Sequence, residues 1–89
     1  MCEYYILVRS VTYAQKAAYV LGSRGIRNRV IRRPHGISVG GCGYAVRVAA
    51  GAGVDPIGLS SLLINSGAPD FRIFGTRDGV NFIELHNGY

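Results

Sequence analysis

The sequence predicts a single α+β domain, and three observations lead to that prediction. The chain has 89 residues, which is enough for one hydrophobic core and too few for two. Hydrophobic residues make up 48% of it and charged residues 17%, a composition typical of folded rather than disordered chains. Apolar runs with strand character alternate along the chain with segments whose apolar residues repeat at helical spacing.

The N-terminal segment predicts a strand followed by a helix. The apolar run YYILVR (residues 4–9) indicates a buried strand. Thr12 followed by Gln15 has the spacing of a capping box. We therefore expect Thr12 to be the N-cap of a helix that ends at Gly22 or Gly25.

The rest of the chain predicts four more strands and one more helix. Asp55 followed by Pro56 indicates the N-cap and first residue of this second helix. The turn residues Asp78 and Gly79 indicate a hairpin between the last two strands. The four strand segments are RNRVIRRP (27–34), CGYAVRV (42–48), DFRIFG (70–75) and VNFIEL (80–85).

The element order β-α-β-β-α-β, with one additional C-terminal strand, indicates a ferredoxin-like sandwich over residues 1–89. In this fold both helices lie on one face of an antiparallel sheet. The third strand runs beside the first, so Cys42 should lie close to Ser10 and to the helix that begins at Thr12. Alternation along the strand turns Cys42 toward the helices and Arg47 toward the opposite face.

Cys42 lies among glycines in the run ISVGGCGYAV (residues 37–46). A helix N-terminus stabilises an anion, and thiols placed there have pKa values below the free value of about 8.5. Gly41 and Gly43 would leave space for a second molecule to approach the sulfur. The pattern therefore favours a nucleophilic thiolate, although a small apolar cysteine packed at a strand end fits it as well.

Positive charge is concentrated around the predicted second strand. Ten basic residues against five acidic ones give a net charge of +5. Five arginines fall within ten residues: Arg24, Arg27, Arg29, Arg32 and Arg33. Such a cluster attracts nucleic acid, an anionic small molecule or an acidic protein. It also serves as a solvated strand edge that discourages aggregation.

The two cysteines do not indicate a structural disulfide or a zinc site. Cys2 begins the first strand at the far end of the sheet from Cys42, roughly 20 Å away at about 3.3 Å per strand residue, whereas a disulfide needs Cα atoms within about 7 Å. Neither cysteine has the paired spacing of zinc ligands. The N-terminal sequence lacks the features of a secretion signal, and no apolar run is long enough to span a membrane, so we expect a cytoplasmic protein.

Much of the chain resembles the small selenium/sulfur (Se/S) carrier protein-like family. The resemblance includes the first strand, the helix that ends in a glycine-isoleucine pair, and a block of the form P-x-x-[IL]-S-x-x-CG-x-A-[VL]-R. In this chain the block consists of Pro34, Ile37, Ser38, Cys42, Gly43, Ala45, Val46 and Arg47. The chain departs from the family pattern by one extra residue before Cys42, an arginine-rich second strand and a long tail after Gly79.

The resemblance implies a carrier rather than a turnover enzyme. Cys42 would hold sulfur or selenium as a persulfide or selenosulfide, accept it from a donor protein and pass it to an acceptor enzyme. No cofactor is implied, and the basic edge strand and C-terminal strand also allow a homodimer. The expected supporting residues are Ser10, Thr12, Ser38, Gly41 and Gly43. The expected docking residues are Arg32, Arg33, His35 and Arg47.

Two other functions remain open at this point. A basic βαββαβ domain with GGCGYAVRV on its third strand resembles the RNA recognition motif. That register would expose Tyr44 and bury Arg47, and the alternation of the strand argues against it. The other alternative is an anion-binding module of the same fold in which Cys42 is structural.

Overall fold

The computed structural model describes residues 3–37, 43–49, 54–67 and 71–87. Its elements, in chain order, are β1 (Glu3–Val8), α1 (Val11–Ser23), β2 (Asn28–Arg32), β3 (Tyr44–Ala49), α2 (Pro56–Asn65), β4 (Phe71–Thr76) and β5 (Ile83–Asn87). The five strands form one antiparallel sheet in the order β2-β3-β1-β4-β5. The predicted ferredoxin-like fold and its extra C-terminal strand are therefore confirmed.

Both helices cover one face of this sheet. Val46 and Val48 of β3 are completely buried in a core that includes side chains of both helices, among them Leu21 of α1 and Leu63 of α2. The removal of these core side chains from water is the main contribution to stability, at about 25 cal/mol per Å² of buried apolar surface. Even-numbered residues of β3 therefore face the helices, as the alternation predicts.

The other face of the sheet is covered too, by two connecting segments. Tyr5, Ala45 and Phe74 form a second buried cluster with Ile37, which is only 3% exposed, and Phe82 packs against that cluster. The rings of Tyr5 and Phe82 meet edge to face with centroids 5.2 Å apart. After β2 the chain thus packs on the sheet face instead of turning directly into β3.

The second helix begins where the sequence predicts, and a glycine follows its C-terminal end. Asp55 is the N-cap, and its carboxylate accepts a hydrogen bond from the Gly58 N–H at 2.6 Å, while Pro56 occupies the first helical position. Gly67 follows the C-cap with φ of +83°, a backbone conformation that glycine adopts without a steric penalty. Within the described ranges, neither helix has the length and apolar composition that a membrane span needs.

The last strand begins three residues later than predicted, at Ile83 instead of Val80. The carboxylate of Asp78 accepts hydrogen bonds from the N–H groups of Val80 and Asn81. These bonds hold the pKa of Asp78 well below its ordinary value. The turn that they stabilise occupies residues that would otherwise start the ladder, and it leads Phe82 onto the sheet.

Candidate functional site

The end of β1, the start of α1 and the start of β3 meet at one end of the sheet. β1 and β3 pair from Glu3 opposite Ala49 to Leu7 opposite Ala45. Continuing that register places Gly43 opposite Arg9, directly before the N-cap of α1. Three predicted site residues, Ser38, Gly41 and Cys42, lie outside the described residues, and so does Cys2. Gly43, where the described chain resumes, is covalently bonded to Cys42.

The N-cap of α1 is Ser10, so the predicted capping box at Thr12 is wrong. Ser10 has extended backbone angles, and its Oγ accepts a hydrogen bond from the Tyr13 N–H at 3.3 Å. Its carbonyl oxygen accepts the first helical bond, from the Ala14 N–H at 3.0 Å. Thr12 is exposed at the second helical position. The helix starts two residues earlier than predicted because β1 ends at Val8, so that Ser10 lies outside the strand and can cap α1.

We expect Ser10→Ala to lower the free energy of unfolding by about 1 kcal/mol, because the Tyr13 N–H loses its acceptor. Thr12→Ala is the matched control and should change it by less than about 0.5 kcal/mol, since exposed positions are tolerant. Urea denaturation of both variants measures the difference. Equal losses would mean that the two hydroxyls share the capping role.

The first turn of α1 has the electrostatic character that an anion requires. A helix N-terminus carries unpaired N–H groups and a partial positive charge. No acidic side chain is present in this first turn, so the charge is not offset by the helix itself. An anionic group beside Ser10 would therefore be stabilised.

Gly43 leaves open space at this end of the sheet. A Cβ atom added to it would have no described atom within 4 Å, and its φ is not in the left-handed region. Its carbonyl oxygen accepts a hydrogen bond from the Arg33 N–H at 2.8 Å, which ties the start of β3 to the end of β2. Neither packing nor backbone conformation in the described residues requires a glycine at position 43.

The predicted docking residues divide between two places. Arg32 is exposed and lies opposite Tyr44, and Arg33 contacts Gly43 through its backbone. His35 is exposed in a turn that the Ile37 N–H closes onto the Pro34 carbonyl oxygen at 3.1 Å. These three lie at the Gly43 end of the sheet.

Arg47 lies on the sheet face away from the helices, as predicted from the alternation of side chains along β3. It is four residues from Gly43, about 13 Å along the strand. Its Nε contacts the Glu3 carboxylate at 2.7 Å, and the Tyr5 hydroxyl donates to the same carboxylate at 3.0 Å. Burial and the nearby Glu3 raise the pKa of Tyr5, so its hydroxyl remains a donor. Arg47 is therefore separate from the Gly43 end.

The covered second face bears on the RNA-binding alternative. RNA recognition motifs stack bases on aromatic side chains of the exposed sheet face. Here Tyr5 and Phe74, the aromatic residues of that face within the described strands, are 6% exposed each. Sequence reasoning did not predict this cover, because it depends on Ile37 and Phe82, whose contacts join segments far apart in the chain.

A metal site also lacks support in the described part of the chain. No group of three histidine, cysteine, aspartate or glutamate side chains is close enough there to hold an ion. The carboxylates of Asp55 and Asp78 instead accept hydrogen bonds from backbone N–H groups.

In a comparison with protein families, residues 3–53 match the family described as "Putative Se/S carrier protein-like". No curated protein and no solved structure matches the chain. The matched region contains β1, α1, β2, β3 and the Cys42 block, which is more than half of the 89 residues. The chain therefore belongs to the Se/S carrier protein-like family.

Proposed function

We propose that this protein carries sulfur or selenium on Cys42 and passes it to a partner enzyme. Family membership is the observation on which the proposal depends, because the matched region contains the Cys42 block. The Ser10 cap, with no acidic residue in the first turn of α1, supports it. The open space at Gly43, the residue bonded to Cys42, supports access of a second molecule.

The transfer is a thiol exchange without net oxidation. The Cys42 thiolate attacks the terminal sulfur of a donor persulfide, a new S–S bond forms, and the donor's own sulfur leaves as a thiolate. A donor selenosulfide reacts in the same way at selenium. An acceptor thiolate then attacks the terminal atom, and the Cys42 thiolate is the leaving group. The partial charge of the α1 N-terminus stabilises this thiolate both as nucleophile and as leaving group.

Intact mass of protein isolated under mild, non-reducing conditions tests the proposal. We expect an adduct of about 32 Da for sulfur or about 80 Da for selenium on part of the protein. Trypsin separates the two cysteines, because Cys2 and Cys42 lie in different arginine-bounded segments of the sequence. The adduct should map to the segment that contains Cys42.

Two serine variants give the matched comparison. Cys2→Ser should retain the adduct in full, because Cys2 precedes Glu3, which pairs with Ala49 at the opposite end of β3 from Gly43. Cys42→Ser should lose it completely. An adduct that persists in Cys42→Ser, or complete absence of a chalcogen adduct from protein loaded with a persulfide donor, would contradict the proposal.

A further inference from the structure

A cleft at the opposite end of β3 from Gly43 is lined by arginines. Its volume is about 450 Å³, and its lining is Arg27, Asn28, Arg29, Arg47 and Ala49. Arg29 and Arg47 are directly opposite each other in the β2–β3 pairing. Like charges in that position are unfavourable by a few tenths of a kcal/mol to about 1 kcal/mol. The cleft thus contains concentrated positive charge that the fold itself does not require.

The described carboxylates leave most of this charge unbalanced. Glu3 contacts Arg47 and is the one acidic side chain that an ion pair brings to the cleft within the described residues. Asp55 caps α2, Asp78 accepts hydrogen bonds within its own turn, and Glu84 pairs with Arg72 near the opposite edge of the sheet. Three guanidinium groups against one carboxylate leave a net charge of about +2, which favours an acidic ligand.

The cleft adjoins the exposed edge of the sheet, since β2 is an outer strand. The Arg33 N–H donates to the Gly43 carbonyl oxygen, which fixes the phase of the ladder: odd-numbered residues of β2 bond to β3. The N–H and C=O groups of Val30 and Arg32 therefore point outward, where another strand can pair with them. Edge arginines are also a defence against aggregation, but Arg47 is on an inner strand, where no such defence is needed.

We propose that an acidic, extended segment of a partner protein binds antiparallel along the β2 edge, with its carboxylates in the arginine cleft. Strand addition of this kind obtains affinity from backbone bonds and specificity from alternate side chains. Acidic residues would face Arg27 and Arg29, and uncharged residues would face the partly buried Val30. The five residues of β2 span about 17 Å, so the far end of the segment lies level with Arg33, whose N–H is bonded to Gly43 on the next strand.

The position of the bound segment explains what its binding would achieve. A partner held along β2 is delivered to the end of the sheet beside Gly43, and hence to Cys42. The identity of the partner as a chalcogen donor or acceptor rests on the proposed function, whereas the docking surface does not. The covered sheet face argues for a protein partner over single-stranded RNA, because the described face offers no exposed aromatic side chains to bases.

A ten-residue peptide that alternates glutamate with threonine is the probe, titrated into ¹⁵N-labelled protein. We expect the amide signals of Val30 and Arg32 to shift and their exchange with solvent to slow. Arg27→Gln with Arg29→Gln should weaken binding at least tenfold. The control pair Lys16→Gln with Arg77→Gln removes the same charge from exposed positions elsewhere and should weaken binding less than threefold. If both pairs of substitutions weaken peptide binding equally, the arginine cleft is not the binding site.

N-methylated peptides separate strand addition from charge attraction. In antiparallel pairing the threonine amides face β2, so N-methylation at the threonines should abolish binding and N-methylation at the glutamates should not. If neither modification changes peptide binding, the proposal of strand addition is wrong. If an oligonucleotide of equal charge binds through Arg27 and Arg29 at least tenfold more tightly than the peptide does, the proposal of a protein partner is wrong.

The Cys42→Ser protein keeps this test independent of the carrier chemistry. It should bind the peptide as tightly as the natural sequence does. Peptide binding without any chalcogen adduct on Cys42 would overturn the proposed function and leave the docking surface standing. An adduct without peptide binding would overturn the docking surface alone.

Discussion

Replacing Gly36 with alanine is expected to lower the free energy of unfolding by about 1–3 kcal/mol, the usual cost of overpacking. A Cβ atom at this position would lie 2.5 Å from Cδ2 of Phe82 and 2.7 Å from the carbonyl oxygen of Val80. The ring has some freedom to move, but the carbonyl belongs to the backbone of the turn before β5. Each kcal/mol lowers the melting temperature by about 4–8 °C in a domain of this size.

Gly43→Ala is the matched control, because no described atom lies within 4 Å of its added Cβ. It should leave stability unchanged or raise it by about 0.4–1 kcal/mol, through the smaller entropy of the unfolded chain. The same alanine substitution is thus destabilising at Gly36 and neutral or stabilising at Gly43. Equal free energies of unfolding for the two variants, measured in urea, would contradict the close packing at Gly36.

A double-mutant cycle identifies the contact. Phe82→Ala removes the ring that packs on Tyr5, so it is destabilising by itself. In that background, adding Gly36→Ala should be less costly than in the natural sequence, with a coupling of about 0.5–2 kcal/mol. Zero coupling would assign the whole cost to the Val80 carbonyl.

The packing at Gly36 also bears on the candidate site, because it fixes where the segment before Cys42 begins. Ile37, the last described residue before that segment, is 3% exposed in the cluster against which Phe82 packs. At the other end, Gly43 is held by the Arg33 N–H. The described chain therefore stops at a buried residue, Ile37, and resumes at a residue that is hydrogen-bonded to the chain just after β2.

The strands and helices were predictable from the sequence because their signals are local. A period of two on β3 places Val46 and Val48 on the buried helix face and Arg47 on the other, and the structure agrees. Asp55 with Pro56 marks the start of α2 by residue chemistry alone. Short-range patterns of this kind survive folding when tertiary contacts reinforce them.

The covered sheet face was not predictable, because its contacts join residues distant in the chain. Ile37 stands in a glycine-rich stretch that indicates a loop, and Phe82 fits a strand pattern equally well. The start of α1 was predicted wrongly for a different reason. Ser10 and Thr12 are both good N-caps, and the choice depends on where β1 stops pairing with its neighbours, which is a property of the sheet.

The prediction with the largest functional effect concerns the reactivity of Cys42. In Cys2→Ser protein, which has one thiol, alkylation by iodoacetamide across a pH series should give a midpoint clearly below about 8, because the pKa of a thiol at a helix N-terminus falls below the free value of about 8.5. Since the pKa is lowered, the thiolate is present at neutral pH and is lost as the pH falls through the midpoint.

Thr12→Glu tests whether the α1 N-terminus causes that effect. Thr12 is exposed in the first turn and does not cap the helix, so a carboxylate there should stabilise α1 by about 0.3–1 kcal/mol. The same charge disfavours a neighbouring thiolate, so the pKa of Cys42 should rise and alkylation at pH 7 should slow about two- to fivefold. A protein that becomes more stable and less reactive through one substitution is a specific signature.

Thr12→Gln is the control, because it has nearly the size of Thr12→Glu without the charge. It should leave both stability and the alkylation midpoint close to those of the Cys2→Ser protein. If Thr12→Glu and Thr12→Gln react alike, the thiol is not influenced by the helix N-terminus. A midpoint at or above about 8, or a thiol that reacts only after denaturation, would make Cys42 a packing residue, because a carrier must present its sulfur as an accessible nucleophile.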